Sequence, residues 1–247
     1  MARRPSKSSY EHSMEIPKNE YVDKSLKFIV RAKGEEQKLL LETINKNVIT
    51  FVDGPPGSGK TFLSAYFGIS LLLNDKISNM IITRPAVESG EKFGYIPGEI
   101  ENKFSIYLMP IFDALNQIIS DEQMKILCKK NGEPSKIRTL PIAFMRGLSF
   151  RNSYVLLDEG QNTSSEQLRM VLTRIGENSK IVVVGDVRQS DIRNCNGLKD
   201  AMGRFSNIAN KNCGIGIVTL TKKSIIRHPI IEIIEEAYEN KDVGFSN

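Results

Sequence analysis

The eight residues GPPGSGKT, at positions 54–61, constrain this chain more than any other stretch. They directly follow the apolar segment VITFV and directly precede a segment with a helical pattern, so the predicted order is strand, glycine-rich loop, helix. Glycines let backbone N–H groups converge on phosphate oxygens, and the helix N-terminus adds its positive dipole end. An ordinary glycine-rich turn is the alternative, which the flanking strand and helix disfavour. The pattern therefore predicts a P-loop that binds a nucleoside triphosphate.

Two side chains of this loop have individual predicted roles. Lys60 is expected to reach the β- and γ-phosphates of ATP, and the hydroxyl of Thr61 is expected to ligate Mg²⁺. The predicted nucleotide-binding residues are Gly54, Pro55, Pro56, Gly57, Ser58, Gly59, Lys60, Thr61 and Phe62.

A second polar cluster follows the apolar segment of YVLLDEGQN. Asp158, at the carboxyl end of this predicted strand, is the candidate to hold Mg²⁺ through water. Glu159 comes next, and alternation at a strand end would aim it away from the metal and towards an attacking water. The alternative is that Glu159 only caps the next helix. The pair favours hydrolysis over transfer of the phosphoryl group to a small molecule.

A third strand end lies in VVVGDVRQSD, at positions 182–191. Three valines predict a buried strand, which we place beside the strand that leads into GPPGSGKT. Asp186 is expected to fix the turn after it, and Gln189 is expected to touch the γ-phosphate or its attacking water. The alternative is a turn in which both side chains only satisfy backbone groups.

The pattern of apolar segments predicts an α/β protein: one domain with a mainly parallel sheet flanked by helices. We expect a polar arm at 1–33, the folded domain at 34–240 and a short tail at 241–247. Predicted helices cover 35–46 and 60–73, and GEKFGYIPGE is expected to be a loop or hairpin. Predicted strands cover 48–52, 80–83, 136–140, 154–158, 180–185 and 216–220. A further amphipathic helix should bury Phe104, Leu108, Ile111, Leu115 and Ile118.

Composition narrows the class of protein. With 40% hydrophobic and 26% charged residues over 247 positions, the chain is expected to be soluble and globular. No apolar run approaches the roughly 18 residues of a membrane span, and the N-terminus lacks the apolar core of a secretory signal. Three scattered cysteines fit neither a disulfide framework nor a zinc site, and they are typical of a reducing cytosol. We therefore expect a cytoplasmic protein with no membrane partner, whose net charge of +5 permits a phosphate-bearing one.

Longer blocks accompany these motifs: TRPAVESGEKFGYIPGEIENK, MRGLSFRNSYVLLDEGQNTSSEQLRMVLTRIGENSKIVVVGDVRQSD and IIRHPIIEIIEEAY. On them and on GPPGSGKT, over roughly residues 34 to 240, the chain resembles the PhoH family. That family comprises phosphate-starvation-inducible ATPases related to the first domain of superfamily 1 helicases. The resemblance implies a RecA-like P-loop NTPase fold, binding and hydrolysis of ATP, and a link to RNA. This chain departs from the family pattern at Gly160, and at Gly147 and Leu148, where a glycine–arginine pair is usual.

The resemblance also draws attention to residues outside the three motifs. It implies that Gln37, upstream of the P-loop, reads the adenine edge, whereas the residues alone favour a solvated helix position. Thr83 and Arg84 occupy the place where helicase relatives touch the nucleic-acid backbone, and Arg146 is a further candidate for that contact.

Assembly is the last expectation. Only 27 residues follow GIVTL, so a second RecA-like domain that would supply an arginine finger is not expected within this sequence. A neighbouring copy could supply it, in a head-to-tail ring, by analogy a hexamer, around a single strand of RNA or DNA. The candidates for the finger are Arg84, Arg146, Arg174 and, favoured by its resemblance to a helicase arginine, Arg227. A nucleotide-gated scaffold without turnover and a small-molecule kinase remain the alternative functions.

Overall fold

The computed structural model describes residues 30–85, 106–128, 135–190, 196–225 and 230. The strands of the described part are β1 (Ile49–Asp53), β2 (Asn79–Thr83), β3 (Ile137–Thr139), β4 (Ser153–Leu157), β5 (Lys180–Gly185) and β6 (Ile215–Thr219). Its α-helices are α1 (Glu35–Lys46), α2 (Lys60–Leu73), α3 (Met109–Ile118), α4 (Asp121–Cys128), α5 (Ser165–Leu172) and α6 (Gly197–Phe205). Short 3₁₀ helices cover Ile142–Met145, Gly160–Asn162 and Lys222–Ser224.

The six strands form one parallel sheet in the order β3-β2-β4-β5-β1-β6. Because all strands run the same way, their carboxyl ends meet at one edge, which we call the carboxyl edge. β1, which leads into GPPGSGKT, lies between β5 and β6, with Asp53 opposite Gly185 and Thr219. This confirms both the predicted parallel α/β fold and the predicted place of the valine-rich strand beside β1.

Helices cover both faces of the sheet, which explains why β4 and β5 are buried along their whole length. On one face, residues of α1, α2, α3 and α4 pack into a core with Val182 and Val184 of β5. On the other face, α5, α6 and the 3₁₀ helix Ile142–Met145 pack against Ile181 and Val183. The run of valines therefore serves two cores, because successive side chains of a strand point to opposite faces.

The predicted strands agree with the structure to within a few residues at each end. Of the predicted amphipathic stripe, Leu108, Ile111, Leu115 and Ile118 are buried as expected, whereas Phe104 lies outside the described residues. The predicted loop GEKFGYIPGE, most of the arm and the tail also lie outside them. Sequence analysis did not define α4, α5 or α6. No helix in the described part of the chain has the length and apolarity needed to cross a membrane.

A buried lysine joins α1 to the sheet at the end opposite the carboxyl edge. Lys180, the first residue of β5, is 4% exposed, and its Nζ donates to the carbonyls of Ile44, Asn45 and Asn47 at 3.0, 2.9 and 2.6 Å. These carbonyls belong to the C-terminal end of α1, where a helix lacks internal donors and favours positive charge. Burial lowers the pKa of Lys180 to about 8.

We expect Lys180→Met to destabilise the protein by about 2–4 kcal/mol, because three carbonyls, two of them in buried hydrogen bonds, lose their shared donor. Urea denaturation followed by circular dichroism would measure the loss. The matched control is Lys46→Met, which removes an exposed lysine from the end of the same helix and should change stability by less than about 0.5 kcal/mol. Equal stability of the two variants would contradict the proposed role of Lys180.

Candidate nucleotide site

The P-loop runs from the end of β1 to the start of α2 at the carboxyl edge. Gly57 and Gly59 have φ values of +79° and +85°, a left-handed conformation that favours glycine. The Ser58 hydroxyl donates to the Pro55 carbonyl at 2.8 Å, and the Gly54 N–H donates to the Gly185 carbonyl of β5 at 3.1 Å. The loop is therefore braced internally and against the neighbouring strand, and it delivers the chain into the N-terminus of α2.

Lys60 begins α2, and its Nζ donates to the Pro55 carbonyl at 3.2 Å. Burial lowers the pKa of this ammonium, while the charges of Asp158, Glu159 and other acids oppose that shift. Phe62, the last residue predicted for nucleotide binding, is half-buried and packs against the core of the α1–α4 face. Lys60 is thus a cation held over the P-loop by the Pro55 carbonyl, which a phosphate oxygen could replace.

Thr61 and Asp158 meet beside Lys60. The Thr61 hydroxyl donates to Asp158 Oδ1 at 2.9 Å, and Asp158 is 4% exposed just after β4. Burial, with a smaller contribution from Glu159, raises the pKa of Asp158 from 3.8 to about 6, whereas Arg84, Thr61 and Lys60 oppose the rise. The structure therefore brings together the two residues that sequence analysis assigned to the metal.

Glu159 is held by two side chains. An ion pair of 3.3 Å joins its Oε1 to Nη2 of Arg84, and the Gln161 amide donates to its Oε2. Its backbone is left-handed, with φ +53°, which is uncommon outside glycine and re-aims the side chain. Although Glu159 precedes the 3₁₀ helix Gly160–Asn162, its side chain makes no capping hydrogen bond there, and Ser164 caps α5. The Glu159 side chain therefore does not cap the following helix, which was the alternative role.

Gln161 is a site residue that sequence analysis did not identify. It is 2% exposed, and while its amide donates to Glu159, its Oε1 accepts from the Asp186 N–H at 3.2 Å. A Cβ added at Gly185 would lie 2.3 Å from this Oε1, so the glycine at the end of β5 makes room for the contact. Gln161 thus joins the ends of β4 and β5.

Asp186 organises the turn after β5 by accepting from a backbone N–H, which both its predicted role and the alternative of a backbone-satisfying turn include. Its Oδ1 accepts from the Arg188 N–H at 3.0 Å, and its carbonyl accepts from the Gln189 N–H at 3.0 Å. Asp53 of β1 accepts from the Val187 N–H at 2.9 Å, which ties the same turn to the P-loop strand. Gln189 is exposed on this turn, with its backbone fixed next to the nucleotide edge.

The sequence-based interpretation of Gln37 as a solvated residue is wrong. Gln37 is 3% exposed; its Nε2 donates to the Ser58 carbonyl at 3.1 Å, and its Oε1 accepts from the Lys33 N–H at 2.8 Å. The first turn of α1 packs on the P-loop, which the helical pattern alone could not reveal.

Glu36, the neighbour of Gln37, holds the segment after β6. It accepts from the Thr221 N–H at 2.8 Å and from the hydroxyls of Thr221 and Ser224. These hydrogen bonds lower its pKa, that from Ser224 most. The first turn of α1 therefore contacts both the P-loop and the chain that leads towards Arg227, which itself lies outside the described residues.

The other predicted residues are placed in different surroundings. Thr83 is fully buried at the end of β2 and offers no surface to a nucleic acid in this structure. Besides its ion pair with Glu159, Arg84 donates to the Tyr107 carbonyl at 3.2 Å. Arg146 is exposed after the 3₁₀ helix Ile142–Met145. Arg174 is half-buried and donates to Thr173 and to the Leu148 carbonyl, so it supports a local turn.

The donor set fits Mg²⁺. A hydroxyl and a carboxylate lie 2.9 Å apart next to a phosphate-binding loop, and Mg²⁺ is commonly held by one or two protein oxygens plus substrate phosphates and water. In the described ranges, no group of three or more His, Cys, Asp or Glu residues could enclose a metal ion without such help.

Comparison with known proteins agrees with this geometry. The model of the PhoH-like protein family matches residues 29–239. The chain belongs to the PhoH family. It is 40% identical over 216 residues to a PhoH-like protein of Synechocystis, covering 87% of this chain and 63% of the relative. It is 35% identical over 213 residues to a PhoH-like protein of Bacillus subtilis, covering 86% of this chain and 65% of that one.

These curated relatives are longer than the chain, which spans less than two thirds of their length. Among solved structures, the large terminase of a thermophilic bacteriophage aligns with a TM-score of 0.50 at 8% identity, over 83% of this chain and 49% of that one. At this identity the likeness shows the fold alone, and it agrees with the RecA-like P-loop fold predicted for this member of the PhoH family. Family and fold together support nucleotide binding.

We expect Asp158→Asn to stabilise the metal-free protein at pH 8. Because the folded-state pKa is raised to about 6, the favourable contribution of this group is complete below pH 3.8 and is lost as the pH rises through 6. Wild type should therefore carry a penalty on the order of 2–3 kcal/mol at pH 8 that the amide avoids. Urea denaturation in EDTA at pH 8 and pH 5 would show the gap and its decrease.

Asp200→Asn is the matched control. The hydrogen bond from Arg204 lowers the pKa of Asp200, so the same substitution there should slightly destabilise the protein at pH 8. A metal-free Asp158→Asn protein less stable than wild type at pH 8 would contradict the assigned cost of burying Asp158.

Proposed function

We propose that this chain is a Mg²⁺-dependent ATPase that releases ADP and inorganic phosphate. The observation that carries the proposal is the convergence at the carboxyl edge: Thr61 on Asp158 at 2.9 Å, with Glu159 fixed next to that pair by Arg84 and Gln161. A P-loop that only binds nucleotide would need the contact between Thr61 and Asp158, but it would not need Glu159 as a second, oriented carboxylate.

ATP would bind with its phosphates in the loop 54–61. The left-handed glycines and the N-terminus of α2 present backbone N–H groups, and Lys60 would exchange the Pro55 carbonyl for β- and γ-phosphate oxygens. Gln37, whose Nε2 already donates to the Ser58 carbonyl, would lie near the adenine. The second N–H of the same amide would then be available to the adenine edge. The first turn of α1 would therefore contact both the P-loop and the bound nucleotide.

Thr61 and Asp158 would hold Mg²⁺, the first directly and the second through water. The ion supplies neutralisation of the charge on the β- and γ-phosphates. Since Asp158 is buried and its pKa lies at about 6, a nearby dication would also compensate the cost of its negative charge.

Hydrolysis requires a base for the attacking water, and Glu159 is the candidate. As the water oxygen bonds to the γ-phosphorus, the bond from that phosphorus to the bridging oxygen breaks; ADP leaves with the bond's electrons and Glu159 accepts the proton. Arg84 and Gln161 hold the carboxylate in one orientation, which reduces the entropic cost of reaching the reactive geometry. Gln189, on the turn fixed by Asp186, would contact the γ-phosphate or this water.

Two alternatives differ from this proposal in what they require of the site. A nucleotide-gated scaffold needs Lys60 and Thr61 but not an oriented Glu159. A small-molecule kinase would direct Glu159 to an acceptor hydroxyl instead of water. Release of free phosphate, with no phosphorylated product, separates ATPase activity from both.

The proposal extends to partners. A single strand of RNA or DNA is the proposed ligand, with Arg84 and Arg146 as candidate contacts, and the protein is proposed to act in the cytoplasm. Copies of the chain are proposed to assemble head to tail as a ring, by analogy a hexamer, so that an arginine of one copy reaches the γ-phosphate of the next. Arg227 is the proposed finger, and Glu36 would fix the start of the segment that carries it.

The Glu159→Gln variant should bind ATP with near wild-type affinity and lose phosphate release by about 10²-fold or more, because an amide cannot take a proton from water. Calorimetric titration with a non-hydrolysable ATP analogue would give the affinity, and a coupled phosphate assay would give the rate. Lys60→Ala is the companion variant, and it should lose tight ATP binding itself.

Each variant has an outcome that would refute its role. Turnover near that of wild type in Glu159→Gln would show that this carboxylate is not the base. Unchanged ATP affinity in Lys60→Ala would remove the P-loop assignment. Exposed Lys199→Ala serves as the control for loss of a positive charge elsewhere, and it should change neither quantity.

If neighbouring copies share a site, the ATPase rate per chain should rise with protein concentration and then reach a plateau. Sedimentation velocity with Mg²⁺ and an ATP analogue should show species well above the mass of one chain over the same concentrations. A strict monomer whose rate per chain is independent of concentration would contradict shared sites and leave the ATPase proposal intact.

A further inference from the structure

Two exposed apolar side chains lie in the connection between β3 and β4. Phe144, in the 3₁₀ helix Ile142–Met145, is 52% exposed, and Leu148 after it is 40% exposed. Arg146 between them is also exposed. We call Phe144, Arg146 and Leu148 the Phe144 surface.

Buried neighbours and hydrogen bonds fix the position of the Phe144 surface. Ile142 and Met145, on either side of Phe144 in the same 3₁₀ helix, are 6% and 0% exposed in the core of the α5–α6 face. The Leu148 N–H donates to the Met145 carbonyl at 3.1 Å, and Arg174 donates to the Leu148 carbonyl at 3.4 Å. Phe144 is therefore presented by a braced turn, so little ordering entropy would be lost when a ligand binds.

The turn also depends on a glycine. Gly147 has a φ of +82°, which few other residues adopt, yet a Cβ added there would meet nothing within 4 Å. The glycine is thus needed for the direction of the chain and not for close packing. It redirects the chain between Arg146 and Leu148.

The connection from β3 to β4, which carries the Phe144 surface, is basic. Residues 135–157 contain no Asp or Glu and four basic residues, all exposed: Lys136, Arg138, Arg146 and Arg151. None of the four forms an ion pair with another residue in the described ranges. Ile137 of β3 is buried in the α1–α4 core, so Arg138 points to the opposite face, the one that carries the 3₁₀ helix Ile142–Met145.

The connection that carries the Phe144 surface begins beside β2. Leu140, which leads from β3 into this segment, donates its N–H to the Ile82 carbonyl of β2 at 3.1 Å. β2 ends at Thr83, and Arg84 then forms the ion pair with Glu159. The connection therefore starts at the carboxyl edge and returns to the opposite end of the sheet, where Phe150 and Asn152 bond to Arg174 and Glu177 ahead of β5.

We propose that the Phe144 surface binds single-stranded nucleic acid, with the Phe144 ring stacking on a base and Arg146 contacting a phosphate. An exposed aromatic ring next to an exposed arginine, on a segment rich in basic residues, is an arrangement that binds single strands without sequence readout. The inference rests on the proposed strand partner and names the residues that would recognise it. A protein partner for the same apolar residues is the competing possibility, and the excess of basic over acidic residues in 135–157 disfavours it.

The test is fluorescence anisotropy with 20-nucleotide oligo-dT and oligo-U labelled with fluorescein. Phe144→Ala should weaken binding about ten-fold, in line with the energy of one base–aromatic stack. Phe144→Tyr keeps an aromatic face and should bind like wild type. Phe144→Leu keeps apolar surface but has no aromatic face to stack on a base, so it should bind as weakly as Phe144→Ala. The two oligonucleotides show whether the binding distinguishes RNA from DNA.

Two further variants separate stacking from charge. Arg146→Gln should reduce the slope of log affinity against log salt concentration by about one, and Phe144→Ala should leave the slope unchanged. Ile126→Ala is the matched control, since Ile126 is an apolar side chain 68% exposed on α4, outside the surface, and its truncation should not alter strand affinity. Thermal melts confirm that each variant is folded.

The outcomes distinguish this inference from the function on which it rests. Wild type that binds the oligonucleotides, with Phe144→Ala binding equally well, overturns the inference and leaves the strand partner standing. Wild type that hydrolyses ATP but binds neither oligonucleotide overturns both the strand partner and the inference. Unchanged strand affinity with reduced self-association of Phe144→Ala in sedimentation assigns the surface to a protein interface and overturns it as well.

Discussion

The hydrogen bond between Thr61 and Asp158 forms only because the strand order and the start of α2 bring these two residues together. The proposed chemistry depends on this contact. It joins residues 97 positions apart across 2.9 Å. The contact requires α2 to begin directly after the P-loop, and it requires β4 to lie near β1, with only β5 between them. A parallel order brings these strand ends to one edge, where a hydroxyl and a buried carboxylate can share a metal ion.

A second set of contacts extends this edge sideways. Arg84 follows β2, Glu159 follows β4 and the Asp186 N–H follows β5, and Gln161 connects the last two. In the proposed reaction, a movement of Glu159 would reach the turn that carries Gln189 through Gln161, and would reach Arg84 through the ion pair.

Sequence reasoning recovered what is local or periodic. The P-loop, the valine strand beside it and Asp158 follow from motifs whose parts are adjacent in the chain. Gln161 and Glu36 were missed because their partners, Asp186 and Thr221, lie 25 and 185 positions away, and no periodicity marks such contacts. Gln37 was misread since helical spacing predicts a buried stripe but cannot predict that the first turn of α1 packs on the P-loop.

The most direct test of the central claim, that this edge forms a Mg²⁺-dependent ATPase site, is phosphate release from ATP by the wild-type chain during a Mg²⁺ titration. The account predicts no release in EDTA, a saturable rise with Mg²⁺ and stoichiometric ADP with no other phosphorylated product. ATP binding with no release above the level of the Lys60→Ala protein at any Mg²⁺ concentration would contradict it.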